Sequence, residues 1–246
     1  MNVCLADLHV HTALSPCAAN EMTPPVIVAA ALAAGLDMIA VCDHNSARNA
    51  AAVQAAAGER LAVIAGMEIT TAEECHVVGL FPDAAAAEAA GAEVGATLGR
   101  ADDGYEAFFG EQLVVDETGA ETTRETLALA TATTLDVDAV VALVHRYDGL
   151  AVAAHVDRRS FGVIGQLGFF PATAGFDAVE VSRHVAPGPA AAAEYAAQSL
   201  PVLRSSDAHY PADVGATRTA LRCRRPGFDE LRPALRGRDG RSVVDA

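Results

Sequence analysis

The stretch ADLHVHT, residues 6–12, places His9 and His11 two positions apart at the end of an apolar run near the N-terminus. Side chains at positions i and i+2 of a β-strand face the same side of the sheet, so this run predicts a strand from which two imidazoles project together. Two imidazoles in that arrangement can bind one metal ion. The alternative is a pair of half-buried polar side chains that hydrogen-bond to their neighbours.

Six further apolar runs of strand-like composition follow, and alanine-rich segments with helical spacing separate most of them. The seven predicted strands cover residues 3–11, 37–44, 61–69, 76–81, 149–156, 176–182 and 200–209. Helices are predicted over 23–35, 135–149 and 188–199. Seven strands with interleaved helices predict an α/β fold, either a barrel or a doubly wound sheet.

Most of the predicted strands end in a side chain that can bind a metal ion. These side chains are His9, His11, Asp43, His44, Glu68, His155, Asp207 and His209. His76 begins its run instead, but a short turn through residues 70–74 would form a β-hairpin and return it to the end that carries Glu68. The carboxyl ends of parallel strands converge on one face of a barrel, whereas an open sheet spreads them along a line. The pattern therefore favours a barrel with a metal site at that face.

The candidates differ in their expected roles. Glu68, a strand-end glutamate beside His76, is the best candidate to bridge two metal ions through its two oxygens. One of the neighbours Asp43 and His44 must point inward, and we expect His44 to bind metal while Asp43 orients it. His155 follows a run of small apolar residues and is expected to face inward as a ligand.

Four other residues complete this set of expectations. Asp207 and His209 repeat the i, i+2 spacing on the last strand and should face the N-terminal histidines across the barrel. His184 follows the sixth strand and is a candidate general acid. His145 lies in the middle of a predicted helix and is expected to be structural or exposed.

Length and composition limit the class of protein. A chain of 246 residues with 52% hydrophobic content can bury a substantial core as one large domain or two small ones. No apolar run reaches the roughly 18 residues of a membrane span, and the N-terminus lacks the pattern of a signal peptide. Five widely spaced cysteines are typical of reduced thiols and predict a cytoplasmic protein.

Charge and the absence of lysine exclude several functions. All 17 cationic residues are arginine, which rules out Schiff-base chemistry, a P-loop lysine and metal bridging by a carboxylated lysine. The formal net charge of −15 disfavours nonspecific binding to polyanions, so we expect no binding of long nucleic acid or membrane. The predicted metal centre would be a local positive charge in this acidic protein and favours a small phosphorylated substrate instead.

The ordered set of motifs resembles the polymerase and histidinol phosphatase (PHP) domain family, and within it the small standalone bacterial phosphoesterases. The motifs are HVHT at 9–12, DHN at 43–45, GMEI at 66–69, HVVGL at 76–80, AH at 154–155 and SSDAH at 205–209. The resemblance covers residues 3–81 and 140–220. It implies a single domain over residues 1–246, a distorted (β/α)7 barrel similar to a TIM barrel, with residues 82–135 as a cap over its mouth.

The resemblance also implies two or three divalent ions, either zinc, iron or manganese. One site would use His9, His11, Glu68 and Asp207, and a second would share Glu68 and add His76 and His155. A third would use His44 and His209 with one ligand from the loop after His11. Relatives carry a His or Asp in that loop, whereas this chain has Pro16 and Cys17. The third site is therefore either completed by the Cys17 thiolate or incomplete.

This arrangement predicts metal-dependent hydrolysis of a phosphate ester by a hydroxide held between two metal ions. Arg158 and Arg183 are candidates to bind the phosphate, with surface ion pairs as the alternative for each. His209 or His184 would protonate the leaving oxygen. The expected substrates are a nucleotide, an oligonucleotide end or a phosphorylated metabolite.

Two rival functions stay open. An amidohydrolase acting on a lactone or cyclic amide would use similar strand-end histidines, although the missing lysine and the DH and SSDAH motifs disfavour it. A non-catalytic metal-binding or regulatory module would keep the fold but lose ligands, and this chain has kept its candidate ligands.

Overall fold

The computed structural model describes residues 1–186, 195 and 200–244. The strands are β1 (Asn2–Val10), β2 (Met38–Val41), β3 (Ala62–Thr70), β4 (His76–Phe81), β5 (Leu113–Val115), β6 (Glu121–Arg124), β7 (Leu150–Ala153), β8 (Ala178–Val181), β9 (Val202–Arg204), β10 (Thr219–Cys223) and β11 (Ser242–Val243). The helices are α1 (Pro24–Ala33), α2 (Ala50–Ala57), α3 (Ala84–Gly95), α4 (Asp103–Phe109), α5 (Val137–Arg146), α6 (Val163–Leu167) and α7 (Phe228–Leu235), with a 3-10 turn at Pro211–Asp213.

Nine of these strands form one sheet in the order β11-β10-β1-β2-β3-β4-β7-β8-β9. The sheet nearly closes on itself, because Val10 at the end of β1 forms a parallel bridge with Ala208 beyond β9. The His11 amide donates to the Ala208 carbonyl at 3.0 Å. The seven strands from β1 to β9 around this closure make a distorted TIM-like barrel, which confirms the predicted fold class.

All seven predicted strands are present, and the predicted hairpin is too. β3 and β4 pair antiparallel, with Thr70 opposite His76 and Glu68 opposite Val78. The turn between them returns the chain to the end of the barrel at which β3 terminates. His76 therefore lies at the same mouth as the side chains that follow the other strands.

Two of the predicted helices, α1 and α5, begin at the residues whose sequence indicates a helix N-terminus. α1 begins with prolines in its first turn after Thr23, and α5 begins after Asp136, whose carboxylate accepts a hydrogen bond from the Ala139 amide. The helix predicted over 188–199 lies outside the described residues, apart from residue 195. No helix in the described part of the chain is both long enough and apolar enough to cross a membrane.

Residues 82–135 divide into two parts. α3 packs on β3 and β4 and belongs to the barrel wall. The following part packs on the loops after β1 and β2: the Leu113 amide donates to the Ala13 carbonyl at 2.9 Å, and the Asn45 side chain donates to the Leu129 carbonyl at 2.8 Å. These loops leave the strand ends that carry the predicted ligands. A cap formed by this second part stays a prediction.

The backbone of β3 approaches its neighbours closely at Gly66. A Cβ there would lie 2.8 Å from the Gly79 carbonyl oxygen and 2.9 Å from the Cys42 sulfur. We expect Gly66→Ala to lower the free energy of unfolding by about 1–3 kcal/mol, because the strands must separate to admit the methyl group. Urea unfolding of chelator-stripped protein measures this without a contribution from metal binding.

Gly99→Ala is the matched control, since a Cβ at Gly99 would have no neighbour within 4 Å. Equal unfolding midpoints for the Gly66 and Gly99 variants would show that this close approach does not limit the residue at position 66.

Candidate metal centre

The predicted ligands gather around one buried carboxylate at the mouth of the barrel. Glu68 Oε1 lies 2.8 Å from His76 Nδ1 and 3.0 Å from His155 Nε2, while Oε2 lies 3.1 Å from His44 Nδ1. Burial alone would raise the pKa of the Glu68 carboxyl, yet His76, His9 and His44 hold that pKa well below its ordinary value. Both oxygens of Glu68 are thus anionic acceptors surrounded by imidazole nitrogens.

A first group comprises His9, His11, Glu68 and Asp207, whose ligand-type atoms all lie within 4.8 Å of one another. His9 Nε2 lies 3.2 Å from His11 Nε2, and His11 Nε2 lies 3.1 Å from Asp207 Oδ1. This group has the same members as the first site implied by the family resemblance.

Glu180 on β8 sets the tautomer of His9. His9 Nδ1 lies 3.1 and 3.2 Å from the two carboxylate oxygens of Glu180. A carboxylate accepts hydrogen bonds, so Nδ1 carries a proton and Nε2 is the nitrogen that faces the group and can bind a metal ion. The Glu180 side chain is also the acceptor for the His155 amide at 3.3 Å, so one buried carboxylate positions two predicted ligands.

The loop after β1 sets the tautomer of His11 in the same way. The Ser15 hydroxyl donates to Asp43 Oδ1 at 2.7 Å, so toward His11 Nδ1, 2.9 Å away, it can only accept. Asp43 also accepts from the Thr12 amide and the Thr12 hydroxyl, each at 2.7 Å. Asp43 was predicted to orient His44; Asp43 holds Ser15, which contacts His11 Nδ1 and also accepts a hydrogen bond from the His44 amide at 3.1 Å, and the orienting role toward the His44 ring stays a prediction.

These tautomers test whether the group suits a metal ion. The Nε2 atoms of His9 and His11 face each other across 3.2 Å, with the oxygens of Glu68 and Asp207 beside them. Burial alone would lower the pKa of His9, but Glu180, Glu68 and Asp207 raise that pKa well above its ordinary value, so a proton on Nε2 can lie between the two nitrogens when no metal ion is bound. A divalent cation can take the place of that proton among these acceptors, and mixed imidazole and carboxylate ligands suit zinc, iron or manganese. The residues fit a metal site.

Two further groups surround the first. His44, Glu68 and His76 form one, and His11, His44 and His209 form the other. His155 contacts the same Glu68 oxygen as His76, consistent with the predicted second site. These groups place His44 beside both the second and the third predicted sites.

Cys17 lies against the third group. Desolvation alone would raise the pKa of the Cys17 thiol, but hydrogen bonds with His209 and His44 lower that pKa to about 6. The thiol is nonetheless in an exposed residue. The geometry therefore places a thiolate beside two histidines, and its role as a ligand stays a prediction.

The backbone is strained where two of the predicted ligands are presented. His155 and Asp207 have φ angles of +27° and +52°, in a region that residues other than glycine rarely adopt. Such strain persists only where the surroundings enforce it and is concentrated at functional sites. His155 follows β7 by two residues and Asp207 follows β9 by three, and both side chains lie in the cluster at the mouth.

Both predicted phosphate-binding arginines are in ion pairs. Arg158 Nη1 lies 2.7 Å from Asp207 Oδ2, at the edge of the first group. Arg183 Nη1 lies 2.7 Å from Asp213 Oδ1. The structure thus brings Arg158 to the cluster, whereas Arg183 pairs with an acid of the 3-10 turn.

The two remaining histidines lie outside the cluster. His184 is exposed in the loop after β8, and its ring has no described contact with the other histidines. His145 is exposed on α5, and its Nε2 lies 2.9 Å from Asp177 Oδ2. The position of His145 matches the expectation for that residue, and the acid role of His184 stays a prediction.

Sequence reasoning missed Glu180 and Ser15. Glu180 is an acid within the apolar run 176–182, the same signal that singled out Glu68 in its own strand. It precedes the end of that run by two residues. Ser15 carried no signal of its own, since only the folded loop shows that its hydroxyl is donated to Asp43.

Comparisons with known proteins agree with the family resemblance. The family model described as PHP domain matches residues 7–166, and the model described as PHP-associated matches residues 190–239. No curated protein sequence matches the chain significantly.

Several solved structures share the fold at low sequence identity. The lesion-specific endonuclease Q from Pyrococcus furiosus aligns with a TM-score of 0.74 at 19% identity, over 98% of this chain and 58% of its own. A protein from Bifidobacterium adolescentis assigned as a metal-dependent phosphoesterase aligns with a TM-score of 0.56 at 21% identity, over 84% of this chain and 88% of its own. An amidohydrolase from Chromobacterium violaceum with bound sulfate aligns with a TM-score of 0.60 at 24% identity, over 86% of this chain and 90% of its own. The chain spans just over half the length of endonuclease Q.

One of these structures corrects an expectation. Endonuclease Q is also solved in complex with a 27-mer duplex that carries an abasic lesion at the active site, with a TM-score of 0.70 at 17% identity over 98% of this chain and 58% of its own. The prediction that long nucleic acid is excluded was therefore wrong. Net charge sums over the whole surface, whereas binding depends on the local field at the site, where Arg158 lies beside Asp207.

The family model covers more than half of the chain, and its matched range contains most of the clustered ligands. The chain therefore belongs to the PHP domain family.

Proposed function

We propose that the chain hydrolyses a phosphoester in a nucleotide or nucleic acid, with two or three zinc, iron or manganese ions held by the cluster around Glu68. The observation that carries this proposal is the convergence of His9 Nε2 and His11 Nε2 with the carboxylate oxygens of Glu68 and Asp207. The similarity of the fold to endonuclease Q over nearly the whole chain supports a nucleic-acid substrate.

Two groups of predicted ligands are each proposed to hold one metal ion. His9, His11, Glu68 and Asp207 would hold one ion, and Glu68 with His76 and His155 a second. Bound ions would supply Lewis acidity, lowering the pKa of water toward neutrality and neutralising charge on the phosphoryl oxygens. Glu180 keeps His9 in the ligating tautomer, and Asp43 does the same for His11 through Ser15.

Other side chains would act on the substrate itself. Arg158 lies beside Asp207 and offers a planar guanidinium that can contact two phosphate oxygens at once. Arg183 would contribute on release from Asp213. His209 and His184 are the proposed donors of a proton to the leaving oxygen; His184 is the choice when His209 binds a third ion.

An activity panel tests this function. Metal-loaded protein is assayed on a duplex with an abasic site, a short oligonucleotide, nucleoside monophosphates, phosphorylated metabolites and lactones, with added Mn²⁺ or Zn²⁺. We expect turnover of at least one nucleotide or nucleic-acid phosphoester that chelation abolishes. Turnover of the lactones alone, or of none of these compounds, would contradict the proposal.

Cys17 provides a separate test of the third group. If the thiolate binds an ion together with His44 and His209, zinc or iron should protect it from alkylation, because a coordinated thiolate is a poor nucleophile. We expect iodoacetamide to label Cys17 in chelator-stripped protein at least tenfold faster than in zinc-loaded protein, as located by mass spectrometry. The buried Cys42 is the internal control and should stay unlabelled in both.

Equal labelling of Cys17 in the two states would remove the thiolate from the third group and leave that group with histidines only.

A further inference from the structure

An exposed aromatic ring lies directly on one of the predicted ligands. The Phe161 ring stacks on the His76 imidazole, with centroids 4.5 Å apart and planes 22° from parallel. The Phe161 carbonyl accepts a hydrogen bond from the His76 amide at 2.8 Å. Phe161 as a residue is nevertheless 42% exposed. The imidazole covers one face of the ring, so a ligand can stack only on the other face.

The backbone holds this ring in place under strain. Phe161 has a φ of +62°, an uncommon conformation for a bulky residue. The next residue, Gly162, has no room for a side chain, since a Cβ would lie 2.4 Å from the Arg158 carbonyl oxygen and 2.9 Å from that of His155. The tight loop from His155 to Gly162 therefore fixes the ring beside the metal centre, which is where strained residues tend to have functional roles.

The same loop carries positive charge. Arg158 reaches Asp207 at the cluster, and Arg159 is exposed. A loop that presents arginine toward the metal centre and an aromatic face just outside it can contact a phosphate and a planar ring of one molecule. Arginine beside an exposed aromatic ring is the combination that proteins use to bind unpaired nucleotides.

We propose that Phe161 stacks against a base of the substrate and so selects nucleotides or unpaired nucleic acid over other phosphate esters; this inference rests on the proposed function. The order of the stacked side-chain rings defines which ligand ring can fit. From Glu68 outward come the His76 ring and then the Phe161 ring, so a ring on the far face of Phe161 is a third layer from the carboxylate. A sugar between phosphate and base spans that separation, whereas an aryl group bonded to the ester oxygen stays too close to the phosphate.

The kinetic test compares Phe161→Ala with the unchanged protein, both loaded with metal. The substrates are thymidine 5′-monophosphate, deoxyribose 5-phosphate, which has no base, and phenyl phosphate. Loss of one stacking contact is expected to raise KM for the thymidine ester about tenfold, the scale of base–aromatic stacking. KM for the other two esters, kcat and metal content should stay unchanged, and Phe161→Tyr should restore the lower KM.

Phe169→Ala is the matched control, because Phe169 is 62% exposed and has no described ring contact with a histidine of the cluster. It should leave KM for all three esters unchanged. A rise in KM of the same size for all three esters with Phe161→Ala, or no rise for any of them, would overturn the proposal.

A binding measurement separates this inference from the proposed function. The fluorescence of 2-aminopurine falls when the base stacks, so a 2-aminopurine deoxynucleoside monophosphate reports stacking without turnover. We expect quenching with the unchanged protein and with Phe161→Tyr, and its loss with Phe161→Ala. If no phosphoester is hydrolysed but quenching depends on Phe161, the proposed activity is wrong and the stacking of a base on Phe161 is supported. Quenching that does not depend on Phe161 overturns the stacking proposal, whether or not the protein hydrolyses a phosphoester.

Discussion

Glu68→Ala is expected to remove at least one equivalent of bound metal and to lower phosphoesterase activity by more than about 100-fold, the scale of losing one preorganised charged contact in a transition state. The reason is that both oxygens of Glu68 are shared among His76, His155 and His44, so no other side chain can replace this carboxylate. Inductively coupled plasma mass spectrometry of the purified variant gives the metal count, and kcat/KM on the best substrate of the panel gives the activity.

Glu230→Gln is the matched control for altering a buried glutamate. Glu230 pairs with Arg241 at 2.7 and 2.8 Å, away from the metal centre, and should keep the full metal count when changed. An unchanged metal count in Glu68→Ala would remove the bridging role from this residue.

Glu180→Leu is expected to weaken metal affinity by about 10–100-fold, the usual effect of removing the hydrogen-bond partner of a metal-binding histidine. Without the carboxylate, His9 is free to place its proton on Nε2 and lose the lone pair that faces Asp207 and Glu68. The His155 amide loses its acceptor in the same change. Competition with a fluorescent chelator measures the affinity.

Glu180→Gln serves as the graded control, since an amide oxygen still accepts from His9 Nδ1 but carries no charge. Its metal affinity should fall between those of the unchanged protein and Glu180→Leu. If Glu180→Leu binds metal as tightly as the unchanged protein, the carboxylate does not act through His9.

The sequence was sufficient for the barrel because its signals are local. Each strand is an apolar run, and the residues that end those runs, such as His11 and His209, are recognisable by position alone. The hairpin that brings His76 to Glu68 was also predictable, since only six residues separate the two apolar runs.

The hydrogen-bond partners of the ligands could not be read in the same way. Glu180 meets His9 from a strand 171 positions along the chain, and the register that aligns them depends on the packing of the whole barrel. Asp43 was assigned to its sequence neighbour His44, but the fold directs it to the loop after β1. The net charge led to the wrong prediction about long nucleic acid for a related reason. A net charge of −15 does not show where on the protein the arginines lie.

Stepwise metal titration of chelator-stripped protein tests the central claim most directly. Mn²⁺ is added in the calorimeter, and hydrolysis of the best phosphoester is measured in parallel at each molar ratio. The geometry around Glu68 predicts at least two bound equivalents, with activity absent from the stripped protein and rising as the second equivalent binds. Full activity in the stripped protein, or binding of fewer than two equivalents by a fully active protein, would contradict it.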